Sequence, residues 1–221
     1  MDRKYDFVTF DCYGTLIDWE SGIADAFLHA ASEDGITLDR AAVVHAYETI
    51  EPVVEREQFR LYREVLTESA TRAAQILGWP ITRERAGFLP ASLASWKPFP
   101  DTNPALERLR AAGYKLGILS NVDDDLLAAT RRHFTVDFDL LITAQQVQSY
   151  KPAAGHFTAA RARIGDARWL HAAQSNFHDV VPANAMGIPS AWVNRRGHTA
   201  LPGGTPAHEV RDLAGLAGLL A

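Results

Sequence analysis

Phe10-Asp11-Cys12-Tyr13-Gly14-Thr15-Leu16, with the run Tyr5-Asp6-Phe7-Val8-Thr9-Phe10 that leads into it, decides how this chain is read. The leading run is β-branched and aromatic, which predicts a short buried strand. It stops at an acid, and Gly14 follows three residues later, where the backbone can turn in ways that other residues resist. An acid at the carboxyl end of a buried strand is where open α/β sheets place their chemistry. Read alone, Asp11 is equally an aspartate capping a turn.

Downstream the texture changes. Segments 20–34, 39–50, 55–77 and 82–95 have helical spacing, and Phe59, Tyr62, Val65 and Leu66 fall on one helix face. Pro52 and the Gly78-Trp79-Pro80 turn are expected to interrupt the pattern. Residues 18–96 are thus predicted to be an all-helical insertion, with Lys97-Pro98-Phe99-Pro100 as the return linker. Alternation then resumes. Helices are expected over 104–112, 123–133, 155–163, 180–186 and 208–220, and strands over 115–119, 138–142, 168–173 and 190–193. Strands alternating with helices imply an α/β fold with a parallel sheet and right-handed crossovers. Its core comprises residues 1–17 and 97–221.

The 221 residues are 47% hydrophobic and 22% charged, an ordinary globular balance rather than a disordered one. The formal net charge of −5 supplies no overall basic field for nucleic acid or anionic lipid. A single cysteine, Cys12, leaves no intrachain disulfide and fits a reducing compartment. The stretch from Met1 to Asp6 is charged, and the apolar run after it is too short for a signal-peptide core or a bilayer span. The expectation is a cytoplasmic protein with no nucleic-acid and no membrane partner.

Four strand ends present polar residues in chain order: Asp11, Ser120-Asn121, Lys151, and the segment Gln174-Ser175-Asn176-Phe177-His178-Asp179. In a parallel sheet such ends lie along one edge. A carboxylate there can attack carbon or phosphorus and form an ester that water later cleaves. Thr15 offers a hydroxyl that could orient that carboxylate or make an ordinary turn hydrogen bond. Ser120 and Asn121 offer uncharged donors for a substrate carboxylate or phosphate, and are equally good caps for the next helix. Lys151, fixed locally by Pro152, suits the task of holding an acid ionised and neutralising a bound anion. Asp179 is either a favourable charge at a helix start or an ion-pair partner of Lys151 that positions or deprotonates water. His178, at the same helix start, is not taken as the base.

In this order and setting the four segments resemble the four motifs of the haloacid dehalogenase superfamily, over essentially the whole chain. The resemblance implies a Rossmann-like parallel-sheet core with an inserted helical cap, and Asp11 as covalent nucleophile. Phosphatases of the superfamily usually carry a second Asp two residues after the nucleophile, where Tyr13 stands here. They also tend to carry another acid early in the fourth motif, where this chain has Gln174, Ser175 and Asn176. A site with so few carboxylates binds magnesium poorly and has no acid left to protonate an alkoxide. A halide needs no proton to leave.

Tyr13, the Ser120-Asn121 pair and the Ser175-Asn176-x-x-Asp179 arrangement resemble the metal-independent L-2-haloacid dehalogenases. That resemblance implies Asp11, Lys151, Asp179, Thr15 and Asn176 as catalytic residues, and Tyr13, Ser120, Asn121 and Ser175 as substrate-binding ones. It implies no metal and no other cofactor. The expected substrate is a small 2-haloacid, converted with inversion to a 2-hydroxy acid, and an apolar cap face is a candidate homodimer surface.

Two positions depart from the pattern. The dehalogenases carry an arginine early in the cap within a Trp-Arg-Gln-like helix; the corresponding stretch here is His45-Ala46-Tyr47-Glu48, leaving Arg56, Arg60 or Arg63 as substitutes. They also commonly have a tyrosine six residues after the motif lysine, where Phe157 stands. Tyr13, Trp19 and Tyr62 are candidates to line an apolar pocket, with core packing as their plainer role. Rival readings are a phosphatase acting on a small phosphate ester, marked by magnesium-dependent turnover, and a catalytically silent binding protein, marked by tight metabolite binding without turnover.

Overall fold

The computed structural model describes residues 3–221, so Met1 and Asp2, at the start of the charged N-terminal stretch, lie outside the described residues. Strand β1 (Phe7–Phe10) is buried at every position and runs through the middle of a sheet. Its companions are β2 (Lys115–Ser120), β3 (Leu140–Thr143), β4 (Trp169–Ala173), β5 (Ser190–Val193) and β6 (His208–Val210). The order is β3-β2-β1-β4-β5-β6, with every pairing parallel. Phe10 stands opposite Ile118 on one side and Ala172 on the other. Asp11, the next residue, therefore emerges between the ends of β2 and β4, where the strand order reverses and ligand crevices form in such sheets.

Between β1 and β2 the chain leaves the sheet as α1 (Trp19–Glu33), α2 (Arg40–Glu55), α3 (Tyr62–Ile76) and α4 (Phe88–Ser92). Asp18 and Asp39 cap the first two, accepting from the N–H groups of Ser21 and Ala42. Exit and return are stitched together: Ile17 bridges Pro98, the Asp18 N–H donates to Lys97 O at 2.9 Å, and the Phe99 N–H to Leu16 O at 3.1 Å. The helices and the sheet share one apolar cluster, in which Phe10, Leu16 and Ile118 join Phe27, Tyr47, Leu66 and Trp96. No helix among the described residues is long and apolar enough to cross a membrane.

Several sequence expectations shift. Pro52 does not interrupt its helix; α2 continues through it to Glu55, because its missing N–H forfeits one bond while the apolar positions Val43, Ala46, Tyr47 and Val54 stay buried. The expected helix over 55–77 starts only at Tyr62. There the buried Asp123 accepts from the backbone N–H groups of Tyr62 and Arg63 at 2.7 and 3.0 Å, capping α3 from 60 residues away in sequence. The segment expected as helix 82–95 breaks into short turns around α4. Residues 208–210, expected to open the last helix, instead form the edge strand β6, and the last helix (Leu213–Leu220) begins after the capping Asp212.

Gly22 on α1 marks the tightest helix-to-return contact. A Cβ there would stand 2.4 Å from the Trp96 ring. Gly22→Ala is expected to cost about 1–2 kcal/mol net, overpacking outweighing the helix-propensity gain. Urea denaturation checks this, and a variant as stable as the parent would refute it.

Candidate active site

Strand β1 delivers Asp11 into a tight turn. The N–H groups of Leu16 and Ile17 both donate to Cys12 O, and Gly14 adopts φ 96°, a left-handed conformation that glycine takes without strain. This turn brings Thr15 back over Asp11. The Thr15 hydroxyl donates to Asp11 Oδ2 at 3.0 Å and accepts from the Gln174 N–H at 2.9 Å, so its proton is committed to the carboxylate.

The other oxygen faces Lys151. Its Nζ donates to Asp11 Oδ1 at 2.9 Å, to Leu119 O at 2.9 Å and to Asp179 Oδ1 at 2.5 Å, using all three ammonium donors. Asn121 holds the lysine's backbone from both sides: Oδ1 accepts from Lys151 N at 2.7 Å and Nδ2 donates to Lys151 O at 3.1 Å. Asp179 sits on one turn of π-helix (Asn176–Val180), a rare geometry that recurs at functional sites. Ser175 starts that turn, accepting from the His178 N–H.

Behind Asp179 stands a residue that sequence reasoning passed over. His171, fully buried on β4, approaches Asp179 Oδ1 through Nε2 at 2.9 Å and Thr9 Oγ1 through Nδ1 at 2.8 Å. Trp169 Nε1 donates to that same Thr9 hydroxyl at 2.7 Å. The Asp179 carboxylate can only accept, so Nε2–H is the donor of that bond, and in the neutral ring Nδ1 then accepts from the Thr9 hydroxyl. The only sequence signal was a polar residue in an otherwise apolar strand. His171→Leu should cost about 1–3 kcal/mol by stripping donors from a buried carboxylate; unchanged stability in denaturant would show that the chain of bonds contributes nothing.

These contacts pull the two carboxyls apart in basicity. Burial pushes Asp11 up, and the nearby charge of Asp179 adds to this, against Lys151 and Thr15. Burial also acts on Asp179, but the Lys151 charge and the His171 hydrogen bond outweigh it and hold the group well below the ordinary carboxylate range. Lys151 is pushed down by burial yet held above its usual value by the two acids. The environment thus makes Asp11 the more basic carboxyl of the two and Asp179 the more acidic.

A cavity of about 320 Å³ opens over Asp11. Tyr13, Ser120, Asn121, Lys151, Ser175 and Asp179 reach it from the sheet side. The Ser120 hydroxyl is buried there and has no hydrogen-bond partner among the described residues. Tyr13 bonds Thr130 Oγ1 at 2.9 Å and packs edge-on against Trp96. Asn176 is not brought in. Its amide bonds Gly204 O and the Leu201 N–H, tethering the 201–204 loop, and it does not line the cavity. Nor do Arg56, Arg60 or Arg63 line it: Arg60 pairs with Glu57, and Arg63 with Asp123 and Asp125. Phe157 is buried beneath the sheet against His171.

On the helical side Trp19 and Tyr62, pocket candidates from the sequence, do line the cavity, and they are joined by residues that sequence reading missed. Tyr47, Glu48, Glu51 and Glu55, on one face of α2, line the cavity together with Trp19, Tyr62 and Trp96. Glutamates on a helix of mixed burial read from sequence as solvated charges. The donor set suits a divalent cation poorly: Asp11 and Asp179 already share the Lys151 ammonium, and among the described residues no group of three or more His, Cys, Asp or Glu is arranged to hold a metal.

The profile of haloacid dehalogenase-like hydrolases matches residues 5–174. An (S)-2-haloacid dehalogenase of Pseudomonas fluorescens is 31% identical over 212 residues, 93% of this chain and 92% of that protein. Haloacetate dehalogenase H-2 of Moraxella sp. (strain B) is 27% identical, covering 88% of each chain. In fold, the L-2-haloacid dehalogenase structure from Xanthobacter autotrophicus superposes with a TM-score of 0.82 at 22% identity, over 97% of this chain and 98% of that one. The chain belongs to the haloacid dehalogenase-like hydrolases.

Proposed function

We propose that this protein hydrolyses the carbon–halogen bond of short 2-haloalkanoic acids, giving 2-hydroxy acids through an ester on Asp11. The observation that carries the reading is the Asp11 carboxylate, fixed by Lys151 and Thr15 at the floor of an open cavity, with Tyr13 where a leaving-group acid would stand. Relatives named as (S)-2-haloacid dehalogenases, matched over most of the chain, support the substrate class.

In the first step an Asp11 oxygen bonds to C2 as the halide leaves with its electron pair, inverting that carbon. Fixing nucleophile and C2 in line removes much of the entropic barrier. Water then adds to the Asp11 carbonyl, the ester bond breaks, and the oxygen that was Asp11's departs in the product hydroxyl. Asp179 orients that water; being held so acidic, it serves better as an anchored acceptor than as a strong base. Ser120 is assigned to the substrate carboxylate, and Asn121 to keeping Lys151 in place. Residues 18–96 act as the cap over a core of residues 1–17 and 97–221.

The test is halide release from chloroacetate and (S)-2-chloropropionate in the presence of a chelator. Release at an undiminished rate supports the proposal. Turnover of phosphate esters that requires added magnesium, without halide release, would replace it with the phosphatase reading.

A further inference from the structure

Thr9 and His171 stand directly opposite each other on β1 and β4, and both are fully buried. Their surroundings are apolar. Phe7 pairs with Trp169 two positions earlier on the same face, and the Phe157 ring meets the imidazole edge-on at 5.1 Å. A threonine and a histidine in such a layer demand partners, and each side-chain polar atom of the pair has one. Trp169 Nε1–H donates to Thr9 Oγ1 at 2.7 Å, the Thr9 hydroxyl to His171 Nδ1 at 2.8 Å, and His171 Nε2–H to Asp179 Oδ1 at 2.9 Å. The donors all run one way, so each bond polarises the next. The chain ends on a carboxylate that lines the cavity.

Lys151 Nζ also donates to Asp179 Oδ1, so two donors from different elements meet on a single oxygen. No hydrogen bond from a described residue reaches Oδ2. A carboxylate held twice at one oxygen resists rotation. Freed of the imidazole, it would turn both oxygens toward the ammonium. That pull is greatest midway through the reaction, because an esterified Asp11 is neutral and leaves Asp179 as the remaining anion paired with Lys151.

We propose that His171, fixed by Thr9 and Trp169, is a positioning residue for the second chemical step, keeping Asp179 Oδ2 away from Lys151 as the acceptor for the hydrolytic water. The proposal rests on the dehalogenase reading. In that step the water oxygen bonds to the Asp11 ester carbon, and the bond from that carbon to the oxygen carried off in the product breaks. One water proton completes the product hydroxyl; the other leaves to solvent as Asp11 regains its carboxylate. Among the described residues the His171 ring bonds only Thr9 and Asp179, so the contacts that fix Asp11 for the first step do not depend on it.

Rapid-quench turnover of chloroacetate separates the two steps: chloride reports alkylation, and the mass of the peptide containing Asp11 reports the ester. His171→Leu is expected to release its first equivalent of chloride at close to the parent rate. It should then turn over about 10- to 100-fold more slowly, with ester accumulated on Asp11. His171→Gln, whose amide N–H reaches about where Nε2–H does, is expected to restore most of the hydrolysis rate. Thr9→Val leaves the ring in place but frees its tautomer; ester is expected to accumulate there too, and this variant carries the test should His171→Leu not fold. First turnover and steady state slowed equally would reduce His171 to a packing role, as would a Gln variant no better than Leu, and either overturns the proposal. Turnover by the parent protein beside a His171→Leu variant that accumulates no ester rejects the positioning role alone. A parent protein that releases no chloride rejects the dehalogenase reading, and the positioning role with it.

Discussion

Asp11→Asn is expected to lower halide release by at least about 10⁴-fold, as loss of a covalent nucleophile does elsewhere, while leaving the fold intact. The amide has the shape of the carboxylate, can still accept from Lys151 Nζ, and leaves Lys151 with Asp179 as its counter-charge. What it lacks is the electron pair on an anionic oxygen. A complementary result is expected from the parent protein turned over in ¹⁸O-labelled water. Because water enters at the Asp11 carbonyl and the product takes an aspartyl oxygen, the peptide containing Asp11 gains one heavy oxygen. Label found only in the product, with none in that peptide, would mean direct attack of water on C2 and would end the ester mechanism. Persistent release in the variant would move the nucleophile elsewhere.

The second large effect is on stability. Lys151→Met keeps the length of the side chain but leaves Asp11 and Asp179, 8% and 1% exposed, buried together without a cation. Removing one member of a buried charge cluster typically costs about 3–5 kcal/mol, and that is the expected loss near pH 7. The pH dependence has a definite sign. In the parent protein Asp179 titrates below its unfolded value, so its contribution is present above about pH 4 and is lost as the pH falls through the native value. In the variant a buried carboxyl without its lysine titrates above the unfolded value, so stability is lost as pH rises beyond about 4. The gap between variant and parent should therefore be larger at pH 8 than at pH 5 in urea titrations. A gap that does not change with pH would show that repulsion between the two acids is not what destabilises the variant.

Much of this architecture was legible in the chain. Runs such as Phe7–Phe10 and Lys115–Ser120 announce themselves because a strand buried on both faces needs consecutive apolar side chains. The helical segments expected over 20–34 and 39–50 lie close to α1 and α2 for a similar reason: the Asp18 and Asp39 caps act on N–H groups only three residues away. Where the determinant was distant, reading failed. Tyr62 begins a helix because Asp123 caps it from another element, and residues 208–210 form a strand because β5 offers a parallel edge.

The site divides along the same line. Asp11, Thr15, Lys151 and Asp179 could be named from sequence because each sits at a strand end or in a turn whose local pattern is distinctive, and a parallel sheet gathers such ends on one edge. Asn176 shows the limit, since it was expected in the site but its side chain serves the 201–204 loop. His171 gave only the weak sign of a polar residue in an apolar strand, and Tyr47, Glu51 and Glu55 gave none, being ordinary residues of a helix. The sequence by itself determined the alternation of elements, the nucleophile turn and the order of the strand-end residues, because these depend on interactions within a few residues. Only the tertiary structure decided what faces the nucleophile across the cavity, because burial, and with it the charge and hydrogen-bonding demands of those side chains, is set by which helix packs over the sheet.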